Sequence, residues 1–157
     1  MKELGRLYYN VLQALNQYNV KYLIVGGFAT NFHGVIRSTI DLDLWVDKKG
    51  NNPEKLFHAF ISMGYNQSSC KEAITALDKD HLIKIPLDHD LVEIMDDYII
   101  RMDFDQAYVN RVERNMDDIT IHVIGLNDLI AIKTKSNRYQ DLDDARKLKE
   151  YRDQEED

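Results

Sequence analysis

The sequence is poor in the features that mark disulfide-rich, secreted and membrane proteins. Only one of its 157 residues is a cysteine, Cys70, which excludes an internal disulfide framework and is typical of a reducing compartment. No apolar run approaches the length of a membrane span, and the first residues lack the apolar core of a secretory signal. We therefore expect a cytoplasmic protein with no membrane segment.

Positive charge is also scarce. The chain carries 20 lysines and arginines against 27 aspartates and glutamates, for a net charge of −7. A broad, non-specific grip on DNA or RNA needs a basic surface, so this class of function is disfavoured, although a local basic pocket is not. The sequence also lacks internal repeats, low-complexity linkers and composition shifts. We expect one domain over residues 1–157, long enough to bury a core.

The hydrophobic pattern alternates between helical and strand periods along the chain. β-branched and apolar runs predict strands at 21–25, 40–46, 81–87, 90–95 and 119–125. Apolar residues at helical spacing predict helices at 3–18, 28–34, 52–64, 70–78 and 104–111, and C-terminal helices interrupted near 135–139. Asn52 is the predicted N-cap of the helix at 52–64.

This order predicts an α/β (α+β) fold, a mixed sheet flanked by helices. An N-terminal helix within residues 1–20 leads into a core at 21–125, and helices follow over 126–157.

Two aspartates stand one residue apart inside the apolar strand "IDLDLWV". Strand side chains alternate between faces, so Asp41 and Asp43 share one face while Leu42 and Leu44 point into the core. Neighbouring carboxylates repel each other unless a cation lies between them, and Mg²⁺ or Mn²⁺ prefers such oxygen ligands. The alternative is that both aspartates lie on the solvent face of an edge strand.

A glycine pair and a short polar segment precede these aspartates. Gly26 and Gly27 end one strand and open a helix, where backbone N–H groups favour an anion and phosphate oxygens can approach the main chain. Arg37, Ser38 and Thr39 add a cation and two hydroxyls that could contact a triphosphate. An ordinary tight turn is the simpler explanation for the glycines.

A third carboxylate, Glu93, is flanked by Val92 and Ile94 in the strand at 90–95. If residues 91–95 pair beside 40–46, three acids lie together, as two metal ions require for in-line displacement at phosphorus. The other acids of this region lie at the strand ends and are expected to be turn or surface acids. These are Asp88, Asp90, Asp96 and Asp97.

Other polar residues allow two interpretations each. Lys133, on a predicted helix, is either solvated or reaches a phosphate. Arg138, Asp141 and Asp144 are spaced for helix-surface ion pairs, or they pack against the rest of the site. His33, at a helix end, is more consistent with a structural or capping role than with a nucleotide contact.

The stretch "GGFATNFHGVIRSTIDLDLWV" resembles the nucleotidyltransferase superfamily that includes DNA polymerase beta, in particular its small bacterial members. The segments "LVEIMDDYIIRMDF" and "IHVIGLNDLIAIKTKSNRYQDLDDARKL" extend the resemblance over roughly residues 20–150. The matching motif positions are Gly26, Gly27, Ala29, His33, Gly34, Arg37, Thr39, Asp41 and Asp43.

The resemblance implies metal-dependent transfer of a nucleoside monophosphate from ATP or another nucleoside triphosphate, with release of pyrophosphate. It assigns two Mg²⁺ or Mn²⁺ ions to Asp41 and Asp43, with Glu93 as third ligand or general base. The glycine pair becomes the phosphate-binding turn. Glu93 departs from the aspartate usual in the family, and its extra methylene moves the carboxylate by roughly 1.5 Å.

The resemblance leaves the acceptor open. Small members modify a partner protein in toxin–antitoxin pairs, the 3′ end of tRNA, or an antibiotic hydroxyl. The acidic charge weighs against tRNA, and so short a chain suggests that a partner chain or a second copy completes the site. Two alternatives remain: a weakly active or inactive antitoxin-type binding module, and a metal-binding domain that takes no nucleotide.

Overall fold

A six-stranded mixed sheet forms the centre of the protein. The computed structural model describes residues 5–87 and 89–156. The strand order is β3-β4-β2-β1-β6-β5, with β2 parallel to β4, β1 parallel to β6 and the other neighbours antiparallel. The strands are β1 (Tyr22–Val25), β2 (Asp41–Val46), β3 (Leu82–Leu87), β4 (Asp90–Met95), β5 (Val112–Met116) and β6 (Ile119–Val123). The predicted α/β fold with a mixed sheet is confirmed.

Helices flank this sheet. They are α1 (Arg6–Gln17), α2 (Gly26–Phe32), α3 (Asn52–Ser62), α4 (Gln67–Asp80), α5 (Asp97–Ile100), α6 (Phe104–Val109), α7 (Leu126–Thr134) and α8 (Tyr139–Glu156). The predicted interruption near residues 135–139 separates α7 from α8. Within the described ranges, no helix combines the length and apolar character needed to span a bilayer.

Three element predictions need correction. Helix α2 begins at the glycine pair, as expected, but ends at Phe32, before the predicted end near residue 34. Helix α4 begins at Gln67 rather than at residue 70, because the Asn66 side chain caps it by accepting a hydrogen bond from the Ser69 amide (2.8 Å). Strand β5 was missed, since "VERNM" is almost wholly exposed and lacks alternation; pairing with β6 makes it a strand.

The apolar face of β2 is anchored in the core. Leu42 and Leu44 have no exposed surface and belong to one buried cluster with Leu12 of α1 and Leu56 of α3. Burying a leucine side chain stabilises a fold by about 1.5–3 kcal/mol. This burial fixes which way β2 faces, and so turns the aspartates between the leucines to the opposite side of the sheet.

Asn52 has a different role from the predicted one. The N-cap of α3 is Asn51, whose side chain makes no capping bond. Asn52 is buried, and its side chain accepts from the Lys21 amide (2.8 Å) and donates to the carbonyls of Lys21 (3.1 Å) and Asp47 (2.6 Å). Because Lys21 precedes β1 and Asp47 follows β2, Asn52 ties these paired strands together at one end.

We expect Asn52→Ala to lower the free energy of unfolding by about 2–3 kcal/mol, because three backbone groups lose their buried partner. Asn51→Ala is the matched control and should change it by less than about 0.5 kcal/mol. Urea denaturation of both variants measures the difference. Equal stabilities for the two variants would show that the Asn52 bonds contribute nothing.

Candidate active site

The pairing of β2 with β4 places two acids side by side. In this parallel pair Asp43 is in register with Glu93, so both side chains project from the same face, and Asp41 shares that face. The pairing of residues 91–95 with 40–46, on which the three-acid cluster was made conditional, is present. Strand β2 lies between β4 and β1, so the edge-strand interpretation of the aspartates is wrong.

The glycine turn is packed directly against the aspartate strand. Gly26 has φ +68°, and a Cβ added to it would lie 2.1 Å from Asp43 Oδ2. A Cβ on Gly27 would lie 2.3 Å from Thr39 Oγ1. Both positions therefore require glycine, because the Asp43 carboxylate and the Thr39 hydroxyl occupy the space that a side chain would fill.

The acidic cluster has no internal counter-charge. Among the described residues, Asp41, Asp43 and Glu93 have no hydrogen-bonded or ion-paired side-chain partner. Burial, followed by the charges of Glu93 and Asp41, raises the pKa of the Asp43 carboxyl to about 7. A bound cation would relieve this repulsion, because it favours the ionised form of the carboxylates.

The donor chemistry of the cluster fits a hard divalent cation. Carboxylate oxygens are the ligands that Mg²⁺ and Mn²⁺ prefer. However, no three His, Cys, Asp or Glu side chains in the described part of the chain are already arranged to hold a metal ion. The three acids are therefore neighbours on the sheet rather than a closed ligand cage.

A cleft of about 420 Å³ opens above the acids. Gly26, Asp43 and Glu93 line it from the sheet, whereas Asp41 lies outside the lining. The helical side of the cleft supplies cations. These are Arg101, which follows α5, Lys133 of α7, and Lys135 and Arg138 of the α7–α8 connection. The cleft thus combines acidic and basic groups in a space of the size that small ligands occupy.

Lys133 is buried, so the interpretation of this residue as a solvated lysine is wrong. Its Nζ donates to Asp144 Oδ2 (2.9 Å) and Asp141 Oδ1 (3.3 Å), and only 4% of the residue is exposed. Asp144, 1% exposed, also accepts from Arg37 Nη1 (2.6 Å). The surface-pair interpretation is therefore wrong for Asp144 and right for Arg138, which pairs with Asp141 at i, i+3 (3.1 Å).

The segment before β2 is held by this network. Arg37 uses its guanidinium for Asp144 and for the carbonyl of Ser38 (3.3 Å), and neither Arg37 nor Ser38 lines the cleft. His33 bonds the Ile124 carbonyl through Nε2 (2.7 Å), which agrees with the structural interpretation.

Asp96 and Asp97, which follow β4, were predicted to be turn or surface acids, but both are bonded within the fold. Asp96 is buried and bonds His81 Nδ1 (2.7 Å) and Lys48 Nζ (2.8 Å). Asp97 accepts from Trp45 Nε1 (2.8 Å). Both acids fix the chain that leads from β4 to the cleft wall. Asp88 lies outside the described residues.

Sequence reasoning missed Arg101. It directly follows α5, a helix of only four residues, which gives no periodic signal. Nothing in the local pattern marks this residue as part of a site.

Comparison with known proteins gives a family for the chain and a related fold. The family model described as "Nucleotidyl transferase of unknown function (DUF2204)" matches residues 5–156. The fold is similar to the crystal structure of a candidate nucleotidyltransferase (TM1012) from Thermotoga maritima. The TM-score is 0.59 at 14% sequence identity, covering 95% of this chain and 92% of that chain, so the likeness concerns the fold alone. No curated protein sequence matches the chain.

The close approach of Asp43 to Gly26 predicts that a side chain at position 26 destabilises the fold more than a side chain at another left-handed glycine does. Gly26→Ala should lower the free energy of unfolding by about 2–4 kcal/mol, from left-handed strain plus overlap with the carboxylate. Gly50→Ala is the matched control, because Gly50 has φ +59° but no atom within 4 Å of an added Cβ. It should cost only about 1–2 kcal/mol. Equal costs by urea denaturation would exclude the overlap.

The raised pKa of Asp43 predicts a pH-dependent stability. The folded state holds this proton more tightly than the unfolded state, so the metal-free protein should lose stability as pH rises from about 4 to about 7. Asp43→Asn removes this loss and should be more stable than wild type at pH 8, by up to about 4 kcal/mol. Urea denaturation in EDTA at pH 5 and pH 8 tests this; a pH-independent difference contradicts it.

Proposed function

The chain belongs to the family of nucleotidyl transferases of unknown function (DUF2204), and from this premise we propose that it transfers a nucleoside monophosphate from a nucleoside triphosphate to a hydroxyl. The observation that carries the proposal is the Asp43 carboxylate, unpaired within the described residues, beside Glu93 and against the glycine turn. The cleft has carboxylates on its sheet side and cations on its helical side, an arrangement that suits a ligand which carries phosphates together with divalent metal ions.

In the proposed reaction, the acceptor oxygen attacks the α-phosphorus, and the bond between that phosphorus and the bridging oxygen of pyrophosphate breaks. Asp41, Asp43 and Glu93 would hold two Mg²⁺ or Mn²⁺ ions, which supply charge neutralisation and lower the pKa of the acceptor hydroxyl. Glu93 orients that hydroxyl and accepts its proton. Most of the rate enhancement then comes from positioning and electrostatics.

We assign the phosphate groups to the rest of the cleft. Gly26 packs against Asp43 and lines the cleft, Gly27 packs against the Thr39 hydroxyl, and Lys133 of α7 lines the cleft on its helical side. The backbone N–H groups of the two glycines, the Thr39 hydroxyl and Lys133 are the groups to which we assign the phosphates. Contacts from Arg37 and Ser38 to the nucleotide stay a prediction. Arg37 also supports the site from outside, because its bond to Asp144 holds the segment that enters β2.

For the acceptor we propose a hydroxyl on a partner protein, as in a toxin–antitoxin pair, or on a small molecule. A net charge of −7 disfavours the 3′ end of tRNA, although the local cations of the cleft do not exclude it. We further propose that a partner chain or a second copy of this chain covers the acceptor.

The test is transfer of label from α-labelled ATP, GTP, CTP and UTP, each with Mg²⁺ or Mn²⁺, in an extract of the host. We expect label on protein or a small molecule with wild type. Asp41→Asn/Asp43→Asn should give at least a hundredfold less label, because the carboxylates that would hold the metal ions against the triphosphate are gone. Asp78→Asn/Asp105→Asn removes the same charge from exposed positions and should keep the activity.

A binding measurement runs in parallel and needs no acceptor. The melting temperature of wild type should rise with Mg²⁺ and a triphosphate together, and Asp43→Asn should abolish the rise. Label on RNA alone would replace the proposed acceptor class by tRNA. Nucleotide binding without transfer would favour the antitoxin-type binding module, and no response in either assay would refute the proposed function.

A further inference from the structure

The four cations of the cleft differ in what they already bind. Lys133 is paired with Asp144 and Asp141, and Arg138 with Asp141. The Nζ of Lys135 donates to the Arg101 carbonyl (3.2 Å). Of these four cations, Arg101 alone has a charged group with neither a hydrogen bond nor an ion pair to any residue in the ranges 5–87 and 89–156.

The backbone of Arg101 is in a conformation that favours glycine. It ends α5 with φ +63° and ψ +41°, and its amide donates to the Asp97 carbonyl (2.7 Å). Glycine is usual at such a left-handed helix end, because a Cβ is strained there. The Arg101 side chain is exposed, so core packing does not account for an arginine. A strained residue that keeps a long charged side chain at a cleft points to function.

We propose that Arg101 binds the phosphate chain of the nucleotide held in the cleft. The inference rests on the proposed function and adds a binding residue to it. A guanidinium offers planar, paired N–H donors that match phosphate oxygens, and it stays charged at all relevant pH values.

Arg101 suits this role better than the other cleft cations do. A phosphate that recruits Lys133 or Arg138 has to compete with Asp141 and Asp144, whereas Arg101 gives up no ion pair. Lys135 contributes indirectly, since its bond to the Arg101 carbonyl links the end of α5 to the α7–α8 connection. A phosphate chain in the cleft would therefore lie beside both the end of α5 and the α7–α8 connection, which this bond joins.

The discriminating variant is Arg101→Gly, which removes the guanidinium and relaxes the backbone. Its melting temperature should equal or exceed that of wild type. Its dissociation constant for the Mg²⁺-bound triphosphate should rise roughly tenfold to a hundredfold, as expected for losing a charged hydrogen bond. Titration calorimetry with ATP, GTP, CTP and UTP, each with Mg²⁺ and without an acceptor, measures this.

Two controls isolate the phosphate contact. Asn19→Gly relaxes another left-handed residue, with φ +55°, in the turn before β1 and should leave nucleotide affinity unchanged. The corresponding nucleosides, which lack phosphate, should bind wild type and Arg101→Gly within twofold of each other. Arg101→Lys, which keeps the charge without the paired donors, should lie between wild type and the glycine variant.

Three outcomes overturn the inference. If Arg101→Gly binds triphosphates as tightly as wild type, Arg101 contributes no phosphate contact, while the proposed function stands. If the variant melts well below wild type, the side chain is structural. If wild type binds none of the four triphosphates, the proposed function fails and this inference fails with it.

Discussion

The repulsion between carboxylates on β2 and β4 is the constraint that the rest of the site accommodates. Asp43 and Glu93 are in register on parallel strands, and the core holds β2 in place through Leu42 and Leu44. The strands cannot slip by one residue without burying the acids and exposing the leucines. The charges therefore stay together, and burial, followed by the charges of Glu93 and Asp41, raises the pKa of Asp43 to about 7. Without a metal ion the carboxylates repel each other and destabilise the folded state. A divalent cation would relieve this repulsion, so the site should favour cation binding.

Two features of the surroundings accommodate the acidic side chains: space beside Asp43, and cations across the cleft. Gly26 gives the Asp43 carboxylate room where any side chain would overlap it. Lys133 and Arg138 lower the pKa of Asp43 from across the cleft without bonding it, since their donors are held by Asp141 and Asp144. If these cations bonded Asp43 directly, they would compete with metal. Their pairing with Asp141 and Asp144 of α8 leaves the acids of the sheet unpaired and keeps cations on the opposite wall of the cleft.

Asp144 links this wall to the segment that enters β2. The buried carboxylate bonds Lys133 in α7 and Arg37 in the segment that runs into Thr39 and Asp41. Removing one partner of a buried pair leaves an uncompensated charge, so the three side chains depend on one another. The C-terminal helix is thus part of the site's support, and Arg101 is the cleft cation that this network leaves uncommitted.

The sequence by itself determined the strand with its alternating aspartates, the glycine turn, the strand that carries Glu93 and the mixed α/β order, whereas it left open the pairing of that strand with β2. These follow from local periodicity and from the chemistry of like charges, which short stretches carry completely. Tertiary structure decided the rest. Burial of Lys133 and Asp144, the bridging role of Asn52 and the place of Arg101 depend on which helices meet. Strand β5 exists only through β6. Such contacts join residues far apart in the chain, so no local pattern encodes them.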